Sequence, residues 1–258
     1  MIQNSFFAPL RLALVGIQLV SGVVQAALIF PYVSAPNQLF MKQIWSRQML
    51  WILGIRLSTN VSPEVPDRLA GLLACNHISF VDIFVINAIA PSCFVAKRDV
   101  AHWPVIGWFC ARIDTLFIER GSRSSAHRTH LQLVKRLEQG HRIAIFPEGT
   151  SSQGASVLPF HSALFQSAID AAVPLRCMAL SYHNADGSIS LAPAYTGEIS
   201  LWHCLLSIAQ SSGVKAHLRE LPAISTLTSE RRQLARQAHE EIARGLAANH
   251  HEHLDPPQ

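Results

Sequence analysis

A histidine and an aspartate five positions apart, in Asn76-His77-Ile78-Ser79-Phe80-Val81-Asp82, are the residues of this chain best suited to acid–base chemistry. They follow an apolar run, Leu69 to Cys75, that reads as a buried strand. They open a stretch, Ser79 to Ala90, that reads as a helix stopped by Pro91. Side chains five apart on one helix diverge by about 140°, so two helical positions would keep these groups apart. With His77 in the turn before the helix and Asp82 in its first turn, they can meet. An imidazole held by a carboxylate is a general base, because the carboxylate selects the tautomer and stabilises the imidazolium that forms. The same residues also spell a capping box, Ser79-x-x-Asp82, which would place the carboxylate there without any chemistry.

Three further segments carry polar groups at the ends of expected strands. Phe146-Pro147-Glu148-Gly149-Thr150-Ser151-Ser152 closes a strand read over Arg142 to Phe146. Its glycine and hydroxyls suit a turn that aims backbone N–H groups at a phosphate or a developing oxyanion. Taken alone, the segment reads more readily as an ordinary Pro-x-Gly turn with Glu148 in solvent. Thr115 to Ile118 reads as a short strand delivering Arg120, whose guanidinium suits bidentate phosphate contact, and Lys97-Arg98 offers a second cationic pair. Taken alone, solvated charge is the simpler reading of both. Pro159 to Phe165 precedes a helical stretch, and Val173-Pro174 opens a strand.

The elements that must position these groups alternate between short apolar runs and helical stretches, an α/β layer pattern with a central mixed sheet flanked by helices. Ser125 to Gln139 is an amphipathic helix, with Leu131, Val134 and Leu137 on one face and Gly140 at its end. Val173 to Leu180 and Val214 to Leu218 read as strands, and Ser229 to Ala248 as a terminal surface helix. No internal repeat or low-complexity block is visible.

Ahead of these lies a different kind of sequence. Leu12 to Met41 holds no charged residue, and its first part, Leu12 to Phe30, is long enough as a helix to match the ~30 Å hydrocarbon core. Pro31 and Pro36 interrupt it. A second apolar stretch, Ile44 to Leu57, mixes Trp45 and Trp51 with Arg47 and Arg56, as an interfacial segment does. Two helices joined near Pro31–Pro36 could span a bilayer or dip into one leaflet. A buried core helix and a cleaved leader ending near Val24-Gln25-Ala26 are the competing readings.

Composition agrees. Hydrophobic residues are 49% and charged ones 15%, below the roughly 25% usual in soluble domains. The net charge of +4 fits an anionic partner, and with no Lys/Arg-rich run interleaved with aromatics that partner is lipid or phosphorylated substrate rather than nucleic acid. Five cysteines without a C-x-x-C pair signal neither a disulfide framework nor a zinc site. The run His250-His251-Glu252-His253 reads as a solvated, disordered end rather than a metal site.

Taken together, the segments resemble the lysophospholipid acyltransferase family, whose lysophosphatidate acyltransferases make phosphatidic acid. The N-H-x-x-x-x-D block matches at Asn76, His77 and Asp82. F-I-x-R matches at Phe117, Ile118 and Arg120, and F-P-E-G-T-x-S at Phe146 to Thr150 and Ser152. V-P matches in part at Val173 and Pro174. Order and spacing agree over roughly residues 70 to 180, and the apolar amino terminus is also similar to the family.

The resemblance implies a glycerolphosphate-acyltransferase-like α/β domain over residues 58–258 behind membrane-anchoring helices in residues 1–57. It implies that His77 is the base and Asp82 its orienting partner. Arg120 and Glu148 would help to hold the acceptor, Gly149 and Thr150 would shape the loop, and Lys97 would contact phosphate. The implied partners are a lysolipid acceptor, an acyl-CoA or acyl-carrier-protein thioester as co-substrate, and the cytoplasmic membrane, with the site facing the cytoplasm; no cofactor or metal is implied. Three departures bear on acceptor identity: Asp114 in a glycine position, Ser151 in an arginine position and Cys177 in a proline position. Phe160-His161-Ser162-Ala163-Leu164-Phe165 is similar to relatives that acylate lyso-ornithine lipid. The remaining alternatives are a non-catalytic lipid-binding protein of the same fold and a serine hydrolase, the latter opposed by the lack of a G-x-S-x-G elbow.

Overall fold

Near-continuous burial of the central strands shows that the middle of the chain is a sheet with both faces covered. The computed structural model describes residues 7–61, 71–118 and 123–254. Among these, seven strands form one mixed sheet: β1 (Ile55–Thr59), β2 (Gly71–Cys75), β3 (Cys93–Lys97), β4 (Leu116–Ile118), β5 (Arg142–Ile145), β6 (Leu175–His183) and β7 (Val214–Glu220). Their spatial order is β1-β7-β6-β2-β5-β3-β4. Among the described strands the β6–β7 pair is antiparallel and the other pairs are parallel.

Central β2 is buried at all five positions, as expected where helices cover both faces. Its Leu73 and Cys75 join Met178, Leu180 and Tyr182 of β6 in one core. Leu72 and Ala74 join Leu175, Cys177 and Ala179 in the other. The first core is roofed by helices α2 (Ala35–Ile52), α3 (Asp82–Ile89) and α8 (Leu201–Gln210). The second is roofed by α6 (Arg123–Glu138) and α9 (Arg231–Leu254). Cys177 sits in register with Ala74 of β2, so a proline there would lack the N–H that a central strand offers its neighbours.

The amino terminus is a helical hairpin. Helix α1 (Ala8–Leu28) leads through a short 3-10 turn, Phe30–Tyr32, into α2, and Pro31 and Pro36 each sit in the first turn of the element they open. Gly22 lets the two helices approach, for a Cβ there would lie 2.8 Å from the indole nitrogen of Trp45. The Trp45 N–H donates to the Gln18 carbonyl at 3.1 Å. The segment Ala8–Tyr32 is long and apolar enough to cross a membrane, with a mean hydropathy of 2.1, and only 22% of its most apolar window is buried. That low figure sets it apart from a core helix and marks it for membrane association.

The second apolar stretch ends differently from its sequence expectation. Helix α2 stops at Ile52, Gly54 turns the chain at φ +73°, and Ile55–Thr59 is edge strand β1, paired with β7. Its inward Ile55 and Leu57 alternate with outward Arg56 and Ser58, a period of two hidden at the end of a helical run. The histidine-rich end is also ordered: residues 250–254 are the last turn of α9. There the His250 ring lies 3.0 Å from that of His183, and its Nε2 lies 3.1 Å from the Gly154 carbonyl oxygen. Among the described residues, no group of three His, Cys, Asp or Glu could hold a metal ion.

Candidate active site

Parallel pairing of β2, β5, β3 and β4 puts their carboxyl ends on one edge of the sheet, where α/β proteins bind ligands. Each of the first three sequence blocks follows one of these strands. His77 comes two residues after β2, Glu148 three after β5, and Lys97 ends β3 beside Ile118 at the end of β4. Arg120 lies outside the described residues. Lys97 and Thr150 are exposed, and Gly149 adopts φ +68°, a conformation that favours glycine in the turn after Pro147.

His77 and Asp82 meet. Helix α3 begins at Asp82, so His77 is in the preceding turn, and His77 Nδ1 lies 2.8 Å from Asp82 Oδ2. The same oxygen accepts the backbone N–H groups of Ile78 at 2.7 Å and Ser79 at 2.9 Å. The Ser79 hydroxyl accepts from the Val81 N–H at 3.3 Å. Capping and orientation of the imidazole are thus carried by one carboxylate oxygen. The other oxygen, Oδ1, accepts the Tyr182 hydroxyl at 2.8 Å. Asp82 is fully buried. With three unambiguous donors already converging on its carboxylate, the fourth contact is satisfied when Nδ1 carries the proton, which leaves Nε2 as a bare acceptor. The ring is stacked on Phe146, with centroids 4.1 Å apart and planes at 13°.

The second block holds the first in place. The His77 N–H donates to Glu148 Oε1 at 2.7 Å, and the His77 carbonyl accepts from the N–H and the hydroxyl of Ser152 at 2.8 and 3.2 Å. Glu148 Oε2 accepts the Leu158 N–H at 3.0 Å. A solvent-facing Glu148, the simple turn reading, does not hold: the residue is 4% exposed, and both oxygens serve main-chain donors. Instead it clamps the loop after β5 to the turn that carries the imidazole. Gly154 seals the contact, since at φ +78° an added Cβ would lie 2.7 Å from Ile78 Cδ1.

Burial pushes the Glu148 carboxyl up to about 7, against the lowering pull of its two backbone donors. A carboxyl raised in the folded state binds more protons folded than unfolded. Its contribution to stability is therefore fully present below the ordinary value of 4.5 and is lost as pH climbs through about 7. Glu148→Gln removes this titration. Chemical denaturation at about pH 5 and about pH 8 should show wild-type stability falling relative to the variant by at most roughly 3 kcal/mol. A difference independent of pH would contradict the account.

Tyr182 was not visible as a site residue in the sequence, where the strand was read only as far as Leu180. It is in phase with Met178 and Leu180, and so points to the face that carries α3. Burial pushes its phenol well above the ordinary value, and Asp82 beside it adds to the shift, so it stays an O–H donor. Tyr182→Phe should lower turnover by roughly 3- to 30-fold, with little change in the Michaelis constant, because Asp82 loses one of its donors. Turnover equal to that of wild type would reduce Tyr182 to a space-filling role.

Two departures from the family pattern have local explanations. Asp114 occupies φ +73°, the left-handed region that glycine favours and aspartate tolerates, and its carboxylate pairs with Arg136. Ser151, in the arginine position, donates its hydroxyl to the Tyr195 carbonyl. That bond ties the loop to a segment whose Tyr195 N–H donates to the Ile78 carbonyl at 3.0 Å.

Known proteins resemble this chain in sequence and in fold. The Acyltransferase family model matches residues 58–181. A 1-acyl-sn-glycerol-3-phosphate acyltransferase from Neisseria meningitidis is 34% identical over 73% of this chain and 72% of its own length. A lyso-ornithine lipid O-acyltransferase from Pseudomonas aeruginosa is 35% identical over 72% of this chain and 71% of its own. The crystal structure of the 1-acyl-sn-glycerophosphate acyltransferase from Thermotoga maritima superposes with a TM-score of 0.69, covering 93% of this chain and 97% of that one at 17% identity, which shows the shared fold. The chain belongs to the lysophospholipid acyltransferase family and is an O-acyltransferase.

Proposed function

We propose that the protein transfers a fatty acyl group from an acyl thioester, on coenzyme A or acyl-carrier protein, to the free hydroxyl of lysophosphatidic acid, giving phosphatidic acid. The observation that carries this reading is the His77 imidazole, whose Nδ1 lies 2.8 Å from the buried carboxylate of Asp82. His77 Nε2 removes the hydroxyl proton as the oxygen attacks the thioester carbonyl. The C–O bond forms, the C–S bond breaks, and the thiolate leaves and takes the proton from the imidazolium. Asp82 holds the ring throughout. A thioester is already activated, so the step needs neither an acyl-enzyme nor a cofactor. Gly149 and Thr150 shape the loop that faces the oxyanion, while Lys97, at the end of β3, and Arg120 contact the acceptor phosphate. Glu148 supports the acceptor site through the loops that it joins.

The α1–α2 hairpin seats this edge at the cytoplasmic face of the cytoplasmic membrane, where lipid acceptor and soluble donor meet. An interfacial site spares the enzyme from drawing acyl chains into water at ~0.8 kcal/mol per CH₂.

A second reading, acylation of lyso-ornithine lipid, is favoured by the Pseudomonas relative and by Ser151 in place of a phosphate-binding arginine. A panel of lysolipids tested against one radiolabelled thioester decides between them. Lysophosphatidate as the best acceptor, with Lys97→Ala raising its Michaelis constant about tenfold, is the expected result. Preference for the phosphate-free acceptor, indifferent to Lys97→Ala, would replace the first reading with the second.

A further inference from the structure

Between β3 and β4 the chain presents apolar side chains to solvent where a short connection would need none. Helices α4 (Arg98–Ala101) and α5 (Ile106–Arg112) are joined by a turn in which Trp103 is 44% exposed and Val105 61%, followed by Ile106 and Trp108 at 41% each. Isolated exposed hydrophobics need no explanation, but four within six residues, two of them tryptophan, do.

The turn is also built to hold this display. Val105, a β-branched residue, sits at φ +64°, where its side chain costs energy that the surroundings must supply. Gly107 is locked in place, since a Cβ there would lie 2.1 Å from the Ala101 carbonyl oxygen. The opposite face of α5 is anchored in the protein: the Phe109 ring lies 5.9 Å from that of Trp45 on α2, and α5 also packs against α1.

Charge and continuity point to one occupant. Residues 97–112 carry three cations, Lys97, Arg98 and Arg112, against the single acid Asp99. The Arg112 guanidinium stands 5.6 Å from the centre of the Trp108 ring. Tryptophans bordered by cations match the headgroup level of an anionic bilayer. The neighbouring α1 exposes apolar side chains at Leu10, Ile17, Val20, Val24 and Leu28, at helical spacing.

We propose that the 103–108 turn is a second membrane-contacting element, separate in sequence from the hairpin. With α1 it makes one surface that rests in the headgroup region of an anionic leaflet, beside the strand end that carries Lys97. It acts as a stop that fixes the height and tilt of the site mouth above the lipid, so that an acceptor reaches His77 without leaving the leaflet. The inference rests on the reading of α1 as a membrane-seated helix.

Quenching by brominated lipid tests it on the full chain in vesicles of phosphatidylethanolamine and phosphatidylglycerol. The difference between wild type and Trp103→Phe/Trp108→Phe isolates the emission of these two rings, and that difference should fall by roughly half with bromines near the headgroup. Val20→Trp, introduced into the double variant, reports on α1 independently. If the Val20→Trp emission is quenched and that of Trp103 and Trp108 is not, the inference fails and the reading of α1 stands; if neither is quenched, both fail. A shift that follows protein concentration rather than lipid would make the turn a self-association surface and overturn the inference. As a functional readout, Trp103→Ser/Trp108→Ser should lose about tenfold in rate on vesicles while keeping its rate in detergent mixed micelles. Equal rates in both settings would contradict it.

Discussion

Replacing His77 by alanine is expected to lower acyl transfer by about 10²–10⁴-fold, the usual worth of a positioned general base, while leaving membrane binding and folding unchanged. The fold should tolerate the change because the ring is not part of the clamp. The Glu148 and Ser152 contacts to position 77 are made through its main chain, which alanine keeps. The ring stack on Phe146 is lost, at a cost of about 1 kcal/mol or less. Thiol release from acyl-CoA in the presence of lysolipid, measured on membranes matched for protein content, reads the effect directly. Wild-type rates from a well-folded His77→Ala protein would remove the base from the mechanism.

Asp82→Asn is expected to cost nearly as much, about 10³–10⁴-fold, by analogy with the triad carboxylate whose amide replacement leaves the imidazole in the wrong tautomer. The structure makes the argument sharper here. An amide has one oxygen, and three donors already converge on Oδ2 while Tyr182 addresses Oδ1. If the amide oxygen keeps the two backbone N–H groups and Nδ1, its NH₂ meets the Tyr182 hydroxyl, which must then turn and accept. If the amide flips, NH₂ faces backbone N–H groups that have no acceptor. Stability should therefore fall as well, by about 1–3 kcal/mol for a buried donor left unpaired. Because His77 and Asp82 act as a unit, the double variant His77→Ala/Asp82→Asn should be scarcely slower than either single one. Additive losses would mean that Asp82 serves only as the cap of α3.

The sequence spoke most clearly where chemistry and local geometry coincide. His77 and Asp82 could be placed across a helix start because five residues is too far on one helix and near enough across its boundary. The capping alternative could not be separated from the catalytic one by sequence, and the structure shows why: one oxygen of Asp82 performs both tasks. Strand periodicity exposed most of the sheet but not its order. The convergence of the blocks at residues 77, 97, 118 and 148 depends on β2, β5, β3 and β4 lying side by side and parallel, a non-local fact that no single segment encodes. Tyr182 was hidden for the same reason, as its partner lies one hundred residues away across the β2–β6 pairing. Strand β1 was hidden differently, by apolar residues that continue the pattern of α2 until Gly54 ends it. The His250 run looked like a polar tail because its packing partners, His183 and Gly154, are far away in the chain.

The most direct test of the central claim is the protonation of the His77 ring, read by nitrogen-15 NMR on detergent-solubilised protein with His77→Ala as the assignment control. The account predicts that the neutral ring carries its proton on Nδ1, deshielded by its bond to Asp82, and leaves Nε2 unprotonated. A ring protonated on Nε2, with Nδ1 bare, would contradict it.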